Sequence, residues 1–207
     1  MHRILFAATL LCCGLTLGHP STTRASDISI IDNWPVAGTG GWDYITVEQT
    51  LNHVYLSRAD HVDVLDMNSG QGIASIVDTQ GVHGVAIAPK LNRGFISNGR
   101  GDSVTVFDLK TNARLQDVVI PGQNPDAILY ETSTQQLYTF NGKSKDVTVL
   151  DAKTLAIKAT ISVPGKPEFA QSDEKGFVYV NIETEPGQLV KINSKTLKIE
   201  AIWPLIG

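Results

Sequence analysis

The stretches HVDVLD (His61–Asp66), SVTVFD (Ser103–Asp108), DVTVLD (Asp146–Asp151) and QLVKIN (Gln188–Asn193) are four versions of one short pattern. Each is a short hydrophobic stretch that ends in an acid or an amide, and these last residues lie 42, 43 and 42 positions apart. A second marker keeps nearly the same period. It is an aromatic residue, which recurs at Tyr55, Phe95, Tyr138 and Tyr179. Two independent markers with one period indicate a repeat protein with a unit of just over forty residues.

The pattern within one unit predicts four short strands. In the second unit, stretches typical of strands at 85–88, 94–98, 103–108 and 115–120 are separated by turn residues such as Gly, Pro, Asn and Asp. Leucine-rich repeats are shorter, helical repeats of this length need two amphipathic helices, and a Greek-key sandwich would not repeat its markers so regularly. The sequence therefore predicts an all-β fold, a β-propeller of four-stranded antiparallel blades. The predicted blades are 41–80, 81–121, 122–164 and 165–207.

The first 25 residues have a different character. Arg3 supplies a positive charge, residues 4–17 are nearly uncharged and apolar, and Thr23-Arg24-Ala25 has the small-x-small pattern of a cleavage site. This layout predicts a secretory signal peptide over residues 1–25, because the apolar run is short for a membrane span. The mature chain, 26–207, is then periplasmic or secreted and has no membrane span. Both cysteines, Cys12 and Cys13, fall in the removed segment, so no disulfide is expected.

The charge balance argues against nucleic acid as a partner. The chain has 17 Lys and Arg against 21 Asp and Glu, which gives a formal net charge of −4 at pH 7. Loss of Arg3 and Arg24 with the signal would make the mature chain more negative. Nucleic-acid and anionic-membrane surfaces require clustered Lys and Arg. Single-stranded nucleic-acid binding through Lys143, Lys145 and Lys166 fits this balance poorly.

The second strand of each unit resembles a known family signature. The segments are YLSR (Tyr55–Arg58), FISN (Phe95–Asn98), YTFN (Tyr138–Asn141) and YVNI (Tyr179–Ile182). They are similar to the YVTN signature of the YVTN-type (YncE-like) β-propeller repeat family of exported proteins, and the blade-opening segments GVHGVAIAP, NPDAILY and KPEFA resemble the same family. The resemblance covers essentially everything after the signal. Members of that family usually have seven blades, so it implies a member with four of the usual seven.

The stretch ISIIDNWP at 28–35 aligns with the fourth strands of later units, such as 115–121 and 158–164. It is predicted to be an outer strand that lacks the first three strands of its own blade. One interpretation is a truncated chain that lacks about three blades of a ring. The other is a complete but open, or four-bladed, propeller, since each blade contacts mainly its neighbours. Either arrangement leaves blade edges open, and self-association through those edges is expected.

The loops that feed the innermost strands carry a set of polar residues, which we call the axial mouth. It consists of Asp43, His83, Asn124 and Lys166 at the start of the four units, with Asp126 and Glu168 two residues further on in the third and fourth units. One interpretation is a binding site for a small molecule, a peptide or an envelope protein. The alternative is that these residues serve turn geometry and the capping of strand ends.

No complete catalytic or metal-binding motif is found, which favours a binding or scaffold module without a cofactor. Arg58, Asn98, Asn141 and Lys143 follow the second strands, where Asn-Gly dipeptides favour a structural role in tight turns. His61 and Asp63 are too few for a metal site, which normally needs three or four converging ligands. The alternative function is a propeller enzyme of lactonase or quinoprotein dehydrogenase type, with Asp43, Asp126 and Glu168 binding calcium or a cofactor. That alternative rests on analogy between folds.

Overall fold

A computed structural model describes residues 28–206, so the predicted signal peptide lies outside the described residues. Residues 28–33 belong to an N-terminal unit and contain no helix or strand. Within that unit the side chains of Ile28, Ile30 and Ile31 are exposed. The second unit begins at Trp34 and contains every strand of the described chain.

The strands form four separate antiparallel sheets of four, each built from consecutive strands. The first sheet contains β1 (Trp42–Glu48), β2 (His53–Arg58), β3 (His61–Asp66) and β4 (Gly72–Ile76). The second contains β5 (Val82–Ala88), β6 (Arg93–Asn98), β7 (Ser103–Asp108) and β8 (Arg114–Val119), with a 3-10 turn at Pro89–Leu91. The third contains β9 (Pro125–Glu131), β10 (Gln136–Asn141), β11 (Asp146–Asp151) and β12 (Ile157–Ser162). The fourth contains β13 (Lys166–Ser172), β14 (Phe177–Glu183), β15 (Gln188–Asn193) and β16 (Lys198–Pro204). The predicted all-β fold of four-stranded propeller blades is confirmed.

The acid or amide that ends each repeat marker caps the turn between the third and fourth strands. In the second blade, Asp108 Oδ1 accepts hydrogen bonds from the backbone N–H groups of Lys110 and Thr111, at 3.0 and 2.9 Å. Asn193 accepts the same pair in the fourth blade, from Lys195 and Thr196. Asp and Asn suit this turn because their short side chains reach the backbone N–H groups two and three residues further on. The backbone hydrogen bond from Thr111 lowers the pKa of the Asp108 carboxyl.

The recurring aromatic residue packs between consecutive blades. Tyr55 is fully buried in a cluster with Val85 and Phe107 of the second blade, and Phe95 is buried against the third blade. Tyr138 is buried in a cluster shared with the fourth blade. Tyr179 occupies the equivalent place on the fourth blade, and it is only half-buried. Among the four blade faces that carry the recurring aromatic residue in the described chain, the face of the fourth blade is therefore the one that no further blade covers.

The outer strand predicted over 28–35 does not form in this structure. An outer strand needs a third strand with which to pair, and each of the strands β3, β7, β11 and β15 already pairs with the fourth strand of its own blade. Within the second unit, Trp34 instead packs beside the turn between β3 and β4. A Cβ at Gly70 would lie 2.1 Å from the indole, so the ring occupies space that any other residue at position 70 would fill.

Candidate functional site

The four inner strands each contain a β-bulge at the same place. In β1 the ladder to β2 pairs Trp42 with Arg58 and then Ile45 with Leu56, so Asp43 and Tyr44 together face a single residue. The other inner strands have the same interruption at 83–84, 126–127 and 168–169. A bulge of two residues against one leaves the extra residue unpaired and redirects its side chain. The four bulges, one in each blade, thus take four side chains out of the regular ladder positions.

The first bulge residue is titratable in every blade. These residues are Asp43, His83, Asp126 and Glu168. The ladders correct the expected correspondence between blades, because Asp126 and Glu168, and not Asn124 and Lys166, are equivalent to Asp43 and His83. The sequence contains a signal for this, since Asp43, His83 and Asp126 each lie 12 residues before the recurring aromatic and Glu168 lies 11 before it. The Asn124-Pro125 and Lys166-Pro167 dipeptides, which are typical of turns, point instead to the residues two positions earlier.

His83 joins the first three blades at the axial mouth. Its Nδ1 lies 2.7 Å from Asp43 Oδ2 and 3.7 Å from Asp126 Oδ1. The bulges themselves are secured by buried hydrogen bonds. The backbone N–H of Gly84 donates to Ser97 Oγ at 2.9 Å, and the Ser97 hydroxyl donates to the carbonyl oxygen of Asp126 at 2.6 Å. The bulge of the second blade is therefore tied directly to that of the third.

Lys166 is paired within the fourth blade. Its Nζ lies 2.7 Å from Glu168 Oε2 and 2.9 Å from Glu183 Oε2. The hydrogen bond to Glu168, followed by that to Glu183, raises the pKa of the Lys166 ammonium. The positive charge of Lys166 is thus shared between two carboxylates of its own blade.

Asn124 lies between two glycines of neighbouring blades. A Cβ at Gly99 would lie 2.6 Å from His83 Nε2 and 2.8 Å from Asn124 Oδ1, and a Cβ at Gly142 would lie 3.3 Å from Lys166 Cε and 3.4 Å from Asn124 Nδ2. The absence of a side chain at Gly99 therefore leaves room for both His83 and Asn124. The structure brings all six predicted residues to the same end of the inner strands.

Asp126 is the most buried carboxylate of the axial mouth. The residue is 9% exposed, and it has no hydrogen-bond donor among the described residues; the nearest positive partner is His83. Burial raises the pKa of the Asp126 carboxyl, with further increases from Glu168 and Asp43 that His83 and Lys166 oppose. A buried polar group normally has a hydrogen-bond partner. Within the described chain the Asp126 carboxylate has no such partner; its side chain is 13% exposed, and its ion pair is with His83 at 3.7 Å.

Two aromatic residues lie next to these charges. Tyr44 and Phe169 are the second bulge residues of the first and fourth blades, and their ring centroids lie 5.9 Å apart. The Tyr44 hydroxyl donates to the carbonyl oxygen of Glu168 at 3.3 Å. Burial, with the charges of Asp126 and Glu168, raises the pKa of Tyr44 to about 12. Both rings line a cavity of about 290 Å³ to which all four inner strands contribute.

A cleft opens beside the mouth between the first and second blades. It has a volume of about 320 Å³ and is lined by Trp42, Asp43, His83 and Arg100, among others. The Trp42 residue is 81% exposed. An exposed indole next to paired polar groups offers a flat surface to a ligand in this cleft.

Three of the polar residues expected in loops after the second strands are instead the last residues of those strands, and they have a structural role. Asn98 Nδ2 donates to Thr105 Oγ1 at 2.8 Å, and Asn141 Nδ2 donates to Thr148 Oγ1 at 3.0 Å. Arg58 occupies the same place in the first blade, where its Nη1 pairs with Asp63 Oδ2 at 3.2 Å. All three are buried and hold the second strand to the third.

A metal centre is not assembled by the residues that the structure describes. Within 28–206, no group of three or more His, Cys, Asp or Glu side chains is arranged to hold a metal ion. The carboxylates nominated for calcium, Asp43, Asp126 and Glu168, sit on three different blades, and two of them are already paired with His83 and Lys166. Along the same residues, no helix is long and apolar enough to cross a membrane.

Four-stranded blades around a common axis define this chain as a β-propeller protein. Two solved propeller structures are similar to it. Kuenenia stuttgartiensis hydrazine synthase has a TM-score of 0.75 and 13% identity over 86% of this chain and 53% of that one. Dihydro-heme d1 dehydrogenase NirN in complex with DHE has a TM-score of 0.64 and 17% identity over 82% of this chain and 39% of that one. At these identities the likeness concerns the fold alone.

This chain spans about half of the hydrazine synthase chain and two-fifths of the NirN chain. No protein-family model matches the sequence, and no curated protein matches it.

Proposed function

We propose that this chain is part of an exported β-propeller of the YVTN type that acts as a binding or scaffold module, with a polar ligand held at the axial mouth. The four equivalent bulges carry this proposal. They place Asp43, His83, Asp126 and Glu168 together without using them in the ladders of the sheets. Bulges next to binding sites redirect side chains in this way.

The sequence supports a location and a class of partner. The signal-like first 25 residues support a periplasmic or secreted protein, so the ligand is a small molecule, a peptide or an envelope protein. The formal net charge of −4 argues against nucleic acid. The blade face that carries Tyr179, which no described blade covers, supports self-association as a further property.

The test compares retention of ligands from an extract. The wild-type chain and the Asp126→Asn plus Glu168→Gln double variant are immobilised, exposed to periplasmic extract, and their eluates compared by mass spectrometry. We expect at least one compound or protein to be enriched on the wild-type chain alone. Identical eluates, with both proteins folded by circular dichroism, would overturn a role for the axial mouth.

A propeller enzyme is the second candidate, because both similar structures are named as enzymes. In this proposal Asp43, Asp126 and Glu168 would bind calcium or a cofactor. Calcium-dependent thermal stabilisation that is lost in the Asp126→Ala plus Glu168→Ala variant supports it. An unchanged melting temperature on addition of calcium or chelator excludes a calcium-based version.

A further inference from the structure

Most charged side chains of the axial mouth form close ion pairs, and one carboxylate does not. Lys166 is held by Glu168 and Glu183, and His83 lies against Asp43. Asp126 remains with His83 at 3.7 Å, beyond hydrogen-bond distance, and with no other donor in the described chain. Within the described chain, Asp126 is thus the carboxylate of the axial mouth that lacks a close partner.

Asp126 is largely buried. The residue is 9% exposed, and an ionised carboxylate in such a place is stabilised by close pairing and hydrogen bonding. The charged groups that face it are Asp43 and Glu168, which repel it, and His83 and Lys166, which attract it. An arriving anion would add to the repulsion from three carboxylates. A cation with N–H groups would supply both the missing charge and the missing donors.

The neighbouring aromatic groups favour the same class of ligand. Tyr44 and Phe169 line the cavity of about 290 Å³, and Trp42 stands exposed on the adjoining cleft. Aromatic ring faces attract cations, and Phe169 and Trp42, at 46% and 81% exposed, contribute less than buried rings would. Asp126 itself lines neither the cavity nor the cleft, but its neighbour Ala127 lines the cavity, so a cation that reaches both the carboxylate and the rings must be compact.

We infer that the axial mouth binds a compact organic cation that carries N–H donors, a primary ammonium or a guanidinium, with Asp126 as its anchor. This inference rests on the proposed function and names the ligand class for the same site. A quaternary ammonium has the charge but no N–H group, and should therefore bind more weakly than a primary ammonium of similar size.

The experiment is a calorimetric titration of the full chain at pH 7.5 and constant ionic strength. The probes are butylammonium, butylguanidinium, tetramethylammonium, butyrate and Ca²⁺. The variants are Asp126→Asn, Phe169→Leu, and Glu174→Gln as the matched control. Glu174 is an exposed carboxylate in the turn at the far end of the same inner strand as Glu168.

We expect saturable binding of the first two probes by the wild-type chain. Asp126→Asn should weaken it by about tenfold or more, since a hydrogen bond to a charged group is lost. Phe169→Leu should weaken it by about twofold to fivefold, because the aromatic wall contributes less than the anchor. Glu174→Gln should leave it unchanged. If the Asp126→Asn chain does not fold, the Phe169→Leu result and the preference over tetramethylammonium decide the question.

Several results would overturn the inference. Equal affinity of the wild-type chain and Asp126→Asn would place the cation elsewhere. Saturable binding of butyrate or of Ca²⁺, without binding of the two N–H cations, would give the site to another ligand class. If an extract compound is retained by the wild-type chain alone while neither cation binds, the proposed function stands and the cation class falls. If retention and titration are both independent of Asp126, both proposals fall.

Discussion

The recurring aromatic residue allows a comparison of equivalent substitutions in two blades. Tyr138 is fully buried between the third and fourth blades, and its hydroxyl donates to Gln136 Oε1 at 2.7 Å. Tyr138→Ala removes this ring and should reduce the free energy of unfolding by about 3–5 kcal/mol. Tyr179 is only half-buried on the outer face of the fourth blade. Because part of the Tyr179 side chain is already in water, Tyr179→Ala should cost less, about 1–2 kcal/mol.

The assay is urea denaturation followed by tryptophan fluorescence at micromolar concentration, with sedimentation velocity on the same samples. Tyr138→Phe serves as the control, because it keeps the ring and loses one hydrogen bond, which should cost about 1 kcal/mol. A Tyr179→Ala cost as large as that of Tyr138→Ala would refute the conclusion that no blade covers this face. A dimer in the sedimentation data would then identify a second copy of the chain as the cover.

Three further predictions concern the axial mouth and the turns. Gly99→Ala should cost about 1–3 kcal/mol and abolish cation binding, since its Cβ would collide with His83 and Asn124. Gly142→Ala should cost less than about 1 kcal/mol, because the side chain of Lys166 can move. Urea denaturation measures the two costs in stability, and calorimetry measures cation binding. Asp126→Asn should raise the melting temperature at pH 7 but not at pH 3.5. The fold raises the pKa of Asp126, so the wild-type chain loses stability as pH rises through that pKa, and an amide cannot ionise; equal gains at both pH values would contradict this. Asp108→Asn should keep the turn that Asn193 forms in the fourth blade, whereas Asp108→Ala should lower the melting temperature. Asp108→Asn should also reduce acid destabilisation, because the lowered pKa of Asp108 gives stability that disappears as pH falls through it.

The sequence predicts the blades well because their determinants are local and repeated. The marker ends in Asp or Asn because that residue caps a turn, and the aromatic recurs because it fills the space between blades. Periodicity alone therefore yields the number of sheets and their strands. Periodicity alone does not decide whether residues 28–35 form an outer strand. The pattern of these residues is typical of a strand, but strand formation depends on an available third strand elsewhere in the chain.

The residues of the axial mouth were predictable, but their arrangement was not. Their identities follow from their position near the start of each repeat unit, although five of the six lie inside the inner strands and not in the loops before them. The pairing of His83 with Asp43 depends on contacts between blades. The bulges shift each inner strand by one residue, and this shift cannot be seen in a pattern that is read strand by strand. The looser pairing of Asp126 likewise depends on which of its neighbours have closer partners, and this is seen only in the structure.

The bulges also explain why one repeat can combine a stable blade with a changeable mouth. Ladder positions such as Val85 and Ile128 pack between blades and must stay apolar, so a polar substitution there would disrupt the core. A bulge residue leaves the ladder, so Asp, His and Glu are all accepted at that position while the blade stays the same. The unfavourable burial of Asp126 is then confined to one side chain, and the repeated core can tolerate it. A ligand that supplies the missing donor would recover that free energy on binding, which links the instability of the mouth to its affinity.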